Sequence, residues 1–349
     1  MYRRMTSTET LPTVSTSNAI IADTDMETVR IYRLDNLPSS LLHRLREARQ
    51  EAARVWNLCR DIHREARQQR AHWPNRDDLQ KATKGRFALH SQTVQMICHA
   101  FLANVETTRQ VKKKNPKMRY PYKEKQFYPL LWPAQAVCVE PNRVILPMGR
   151  GRPSIVLKVS LPENAGACKI VWRDGYELHV SMPVEPADAP PGTARATADL
   201  GQIHQAAVTT DGGDALVVSG RGIRSAKRWA NKALGEIAKK QARCQKGSRR
   251  WRKLQRARAK ISARVKRQVR DLRHKGTRKV VEFCERHEVG NLYIGNPDGV
   301  RARNAGRHHN QRMSQWEYGR DIDYLKHKCE QSRIMCFTGT DKGNLQPVS

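Results

Sequence analysis

A few acids set far apart hold most of the chemical potential of this chain. Asp199 ends the β-favouring run "ATADLG", and a second such run, "NLYI" at 291–294, delivers its end to Gly295-Asn296-Pro297-Asp298-Gly299, residues that build turns. Carboxylates gathered from separated strand ends can hold two divalent cations, one activating water and the other stabilising a leaving oxygen. The second strand end, where such chemistry calls for a carboxylate, reads Gly-Asn-Pro. Asn296 has nearly the shape of Asp but is neutral, so it lacks the anionic oxygen that a hard Mg²⁺ ion prefers. Asp298 lies past Pro297 and before a Gly, the usual setting of a turn residue, and is a substitute ligand only if the turn brings it back.

The second chemical resource is positive charge. The 349 residues hold 65 Lys plus Arg against 33 Asp plus Glu, a net +32 with a pI near 10.4. Solubility needs far less, and the excess points to a polyanionic partner, nucleic acid first. Residues 221–280 carry 24 of these cations and only two acids, Glu236 and Asp271, so +22 of the total sits in one segment. An ordinary solvated helix mixes its signs. Lys239, Lys240, Arg249, Arg250, Arg252, Lys253, Arg256 and Lys260 are the expected phosphate contacts.

Other classes are excluded or left without support. No apolar run of about 18 residues exists to span a bilayer, so no membrane partner is expected. The eight cysteines, at 59, 98, 138, 168, 244, 284, 329 and 336, include no Cys-x-x-Cys pair; no zinc site is expected, and the spacing fits reduced thiols in a cytoplasmic, nucleoid-associated protein. His308 and His309 are adjacent and point in different directions on a helix, which favours a structural role. Asp321 and Asp323, two apart on a helix, do not share a face and are expected to pair with Arg320, Lys326 or Lys328.

The elements that must position these groups follow from periodicity. Residues 1–26, rich in Ser and Thr and without a signal-peptide core, read as a disordered tail. "ETVRIYRL" at 27–34 is a strand, and helical spacing follows over 41–70 and about 91–112. After the basic, aromatic stretch "KKKNPKMRYPYKEKQFYPLLWP", short alternating runs suggest a small antiparallel β-barrel or sheet over about 118–185. The Pro- and Gly-rich "EPADAPPGTAR" marks a boundary near 190. A β-meander comes next, with strands ending at Asp199 and at about 205–210 and 215–219. A basic helical hairpin over 225–280 then breaks at "KGS", with Trp251, Leu254, Ile261, Val265, Val269 and Leu272 as its seam and Trp229, Leu234 and Ile237 as mates.

An acid on the first strand of a meander, followed after a helical excursion by a strand such as "NLYI", is the layout of ribonuclease-H-like nucleases. In order and spacing, "ADLGQIHQAAVTTDGG", "KGSRRWRKLQRARAKI", "RHKGTRKVVEFCERHEVGNLYIGNPDGV" and "HHNQRMSQWEYGRDIDYLKHKCEQSRI" resemble the TnpB family of transposon-encoded RNA-guided DNA nucleases, relatives of the type V CRISPR effectors. The resemblance covers about residues 27–340. It implies a multi-lobe α+β fold: a helical recognition lobe inserted at about 39–115 into a β-barrel over 27–190, then a ribonuclease-H-like (RuvC-like) domain over 191–349 that holds the hairpin. It also implies a guide RNA and target DNA as partners, with Mg²⁺ as the family's cofactor.

Asp199 matches the family's first catalytic acid, and the match puts Gly295 or Asn296 where the family has its second, a Glu. After "RDIDYLKHK" the family continues into a zinc ribbon and an Asp-x-Asn-Ala-Ala helix bearing the third acid. The residues here, "MCFTGTDKGNLQPVS", hold neither motif, and Asp341 has no such helix around it. The expectation is an RNA-guided DNA-binding protein with an impaired nuclease site. Two readings stand beside it: an active endonuclease using Asp199, Asp298 and Asp323 in a displaced metal site, and a decayed transposon fragment.

Overall fold

The computed structural model describes residues 27–297 and 306–339 and the backbone of 345–347. Asp298, Asp341 and the expected N-terminal tail lie outside the described residues.

β1 (Glu27–Leu34) leads into three helices: α1 (Ser39–Gln68), α2 (Arg76–Thr83) and α3 (Ser91–Lys114). Short strands follow: β2 (Leu130–Trp132), β3 (Cys138–Glu140), β4 (Arg143–Leu146), β5 (Ile155–Leu157), β6 (Cys168–Trp172) and β7 (Tyr176–Pro183). They form a four-stranded sheet in the order β1-β7-β6-β2 and a three-stranded sheet β3-β4-β5. The expected barrel is not closed. β2 to β5 are only three or four residues long, too short to pair around a cylinder, and β1 and β2 remain unpaired sheet edges among the described residues.

Helices and sheets share one apolar core, with Trp56, Phe101, Leu45, Trp132, Ile170 and Leu178 at its centre. Trp56 stacks on Tyr128 at 4.7 Å and meets Phe101 edge-on at 5.2 Å. Lys125 lays its ammonium 3.3 Å from the Trp56 ring centroid, and burial holds it down to about 8. The aromatic stretch read from sequence is therefore partly structural. Helix α2 was not expected, though its start carries a sequence signal: Asn75 and Asp78 form a reciprocal capping box, each side chain taking the other's backbone N–H.

The second half begins with β8 (Ala194–Asp199), β9 (His204–Thr210) and β10 (Ala215–Ser219), the expected meander. The hairpin helices α4 (Arg221–Ala242) and α5 (Arg249–Arg286) come next, then β11 (Val289–Gly295), α6 (Arg307–Ser314), α7 (Tyr318–Gln331), β12 (Met335–Gly339) and β13 (Leu345–Pro347). The sheet order is β10-β9-β8-β11-β12-β13, with β11 parallel to both β8 and β12, as a ribonuclease-H-like layout requires. A separate core of Val208, Val281, Leu292, Leu325 and their neighbours lies between this sheet and the helices α5 and α7.

Two glycines let this sheet form. A Cβ on Gly290 would lie 2.2 Å from the carbonyl oxygen of Gly192, and the β8–β11 register slips at this point, between Val289 and Asn291. Both nearest atoms in this crossing are backbone, so neither can turn aside. Gly290→Ala is expected to cost about 1–3 kcal/mol, seen as a lower thermal midpoint with unchanged helix content.

Candidate functional site: a lone carboxylate and a cationic hairpin

β8 alternates buried Ala196 and Ala198 with exposed Thr197 and Asp199, so Asp199 stands at the strand's end on the face turned away from the core. Ile294 pairs with Ala198, which brings the next residue of β11 beside Asp199. That residue is Gly295, and a Cβ built on it would lie 3.9 Å from Asp199 Oδ1, with nothing nearer than the Ala198 carbonyl at 3.7 Å. Asn296 is one residue on. Strand alternation assigns it to the opposite face, and its backbone N–H bonds to Gly339 O at 2.8 Å. Of the two positions that the sequence left open, Gly295 is the one that faces Asp199.

A two-cation centre does not fit the donors described. Gly295 offers no side-chain oxygen to share an ion with Asp199, and hard divalent cations need several anionic or carbonyl oxygens. Among the described residues no group of three or more His, Cys, Asp or Glu is placed to hold a metal. Asp323 is exposed on α7, whereas Asp321 of the same helix is buried, so the pair is indeed split between faces.

The expected partners of Asp321 need correction. Its carboxylate takes a 2.6 Å bond from Arg273 of α5 and a 3.0 Å bond from Gln205 of β9, both themselves buried. Arg320 turns to Glu317 instead, and Lys328 to Thr277. Sequence spacing shows only local helix pairs, and this cluster joins residues 48 and 116 positions apart. A Cβ on Gly276 would meet the Gln205 amide at 2.0 Å, which is how α5 comes close enough to β9 to close the cluster.

The hairpin is as expected in outline and different in its seam. Ser248 caps α5 by accepting the Trp251 N–H at 3.2 Å. The closest packing is by Val265 and Val269 against Ala226, Ala230 and Ile223; small residues let the helices approach, and Trp229, an expected mate, is 48% exposed. The turn lies at the far end of the hairpin. Lys239, Lys240, Arg249, Arg250, Arg252, Lys253, Arg256 and Lys260 are all exposed there, and among the described residues only Lys239 has an acid partner, Glu236 at 2.9 Å.

A second basic surface lies on the first half. Tyr120 and Tyr122 stack at 5.8 Å, Trp73 meets Tyr120 edge-on, and the Arg67 guanidinium lies 4.7 Å from the Tyr120 centroid. With Lys112, Arg119 and Lys123, the two tyrosines and Arg67 line a cavity of about 520 Å³. His308 lines a cavity with residues of α4. His308 and His309 open α6, and Cys329 is buried beside Cys336, where their hydrogen bond and burial push its thiol up.

Residues 177–301 match the family model OrfB_IS605, described as a probable transposase. No curated protein matches the chain. Among solved structures, a Cas12f1–sgRNA–target DNA complex determined by cryo-electron microscopy aligns over 86% of this chain and 74% of that one, at a TM-score of 0.60 and 11% identity, a likeness of fold. A CRISPR-Cas12f ternary complex aligns over 88% and 73% at 11% identity with a TM-score of 0.37. No helix among the described residues is long and apolar enough to cross a membrane. Residues 177–301 thus resemble a family of probable transposases, and the chain shares its fold with the Cas12f1 of that complex.

Proposed function

We propose that the protein is an RNA-guided DNA-binding protein whose nuclease centre is incomplete. The observation that carries the reading is a bare glycine facing Asp199 in a sheet whose appended hairpin bears an exposed, almost unneutralised cluster of cations. The solved relative of similar fold was captured with an sgRNA and a target DNA. A surface of this kind binds phosphates without reading sequence, and base pairing to the guide then supplies the specificity. The aromatic, basic cavity around Tyr120 supports a role for the first half in reading a short motif beside the target.

Expression of the chain with its native flanking DNA, followed by sequencing of co-purifying RNA, tests the guided part. A discrete RNA ending in a variable segment is expected; random fragments or none would overturn it and favour the decayed-fragment reading. The loaded protein is expected not to cut matched DNA in Mg²⁺. Cleavage abolished by Asp199→Ala would instead establish the displaced-acid endonuclease.

Restoring an acid tests the glycine directly. A Cβ on Gly295 would make only ordinary van der Waals contacts, so Gly295→Glu is expected to fold normally and to gain a Mn²⁺-dependent rise in thermal midpoint that the parent lacks. No gain would show that the strand end is not where the metal site was lost.

A further inference from the structure

A cavity of about 650 Å³ opens between the first turns of α4, the helices α6 and α7, and the loop that follows Asp199. Asp199 itself does not line it. Arg221, Arg224 and Arg228 do, at steps of three and four that set them on one face of α4, and Arg312 of α6 lines it as well. None of these four guanidinium groups has an acid partner among the described residues. The two cations at the floor are already matched: Lys227 with Glu317 at 2.8 Å, and Arg273 with Asp321. The acids in and beside the cavity are therefore used, and the positive charge of its rim is left over.

The rest of the lining is not that of a simple anion hole. Ile223 and Trp316 give it apolar wall. Asn231 and Gln315 exchange two side-chain hydrogen bonds, at 3.0 and 3.1 Å, which fixes both amides and leaves each a further N–H. Gln202 ties the Asp199 loop to α6 through the Arg312 carbonyl at 2.7 Å. Its volume lies in the range of small-ligand sites. The nearest of the expected hairpin contacts, Lys239, is 11 residues from Arg228, about 16 Å along the helix, so this is a separate place.

We infer that this cavity binds one unpaired nucleotide of the bound strand, its phosphate held by Arg224, Arg228 and Arg312 and its base against the Trp316 wall. The inference rests on the reading of the chain as a nucleic-acid-binding protein and adds a site to it. An unpaired nucleotide fits where a duplex does not, because about 650 Å³ is the volume of a small-ligand site.

The test uses the full chain, single-stranded DNA and RNA oligonucleotides of one sequence, and a nucleoside 5′-monophosphate. Arg224→Gln/Arg228→Gln is expected to weaken oligonucleotide binding roughly 10- to 100-fold at about 0.1 M salt and to lower the salt slope by about 1 to 2. Arg224→Lys/Arg228→Lys is expected to restore the slope, which separates lost charge from damaged fold. The strand bound more tightly by the parent, and crosslinked through a photoreactive base to Trp316 or Gln315, identifies the source. An unchanged slope in the Gln double variant, while a hairpin-tip variant loses its own share, would overturn the pocket and leave nucleic-acid binding intact. If the parent bound neither strand, a monophosphate-induced rise in thermal midpoint that the Gln variant lacks would support the phosphate site and sink the strand reading; no rise would sink both.

Discussion

Arg249→Ala/Arg250→Ala/Arg252→Ala/Lys253→Ala is expected to lower affinity for nucleic acid by about 10³-fold near 0.1 M salt, with the slope of log K against log salt flatter by about 3 to 4. The four residues are exposed at the hairpin tip, and none has an acid partner among the described residues, so each is available to displace condensed counterions. The fold is not expected to move, because the hairpin seam runs through Val265, Val269, Ala226 and Ala230, well away from the first turn of α5. Filter binding or anisotropy across a salt series, with circular dichroism as control, reads both effects. An unchanged slope would remove the tip from the interface.

The largest stability effect is expected at Arg273. Arg273→Met removes one partner of a buried pair and leaves the Asp321 carboxylate with only the Gln205 amide, at a site almost withdrawn from solvent. Breaking such a pair costs about 3–5 kcal/mol, whereas Arg273→Met/Asp321→Leu, which removes both charges, is expected to recover most of the loss. Denaturant unfolding of the four members of this cycle measures it. A single variant as stable as the parent would show that Asp321 is reached by water or carries a proton. The exposed Lys239–Glu236 pair, by contrast, is worth at most about 1 kcal/mol.

The contrast between these two sites explains what sequence could and could not reveal. Local patterns were legible: the meander, the helix periods, the Ser248 break in the hairpin, and a strand delivering its end beside Asp199 all depend on neighbours a few residues apart. The cations were legible too, since excess charge without local acids is visible in composition. Register was not. Choosing between Gly295 and Asn296 needed the pairing of Ile294 with Ala198, a contact set by the bulge at Gly290. Asp321 was misassigned to helix neighbours because its partners come from α5 and β9, brought close by the missing side chain of Gly276. The barrel was overread for a related reason: short alternating runs specify strands, and closure depends on lengths and edges that alternation does not encode.

The continuity of α5 has a mechanical consequence. Its 38 residues contain no proline and one glycine, and that glycine is locked against Gln205. The helix is therefore an unbroken rod about 57 Å long, with an exposed cluster of cations at one end and the sheet core at the other. Along the way Arg267 braces it on the first half, to the Arg173 carbonyl at 3.0 Å and to the buried Glu177. On one unbroken helix the charged tip, the Arg267 brace and the buried Arg273 pair therefore follow in series, so the hairpin is tied to the first half between its exposed charge and its buried charge.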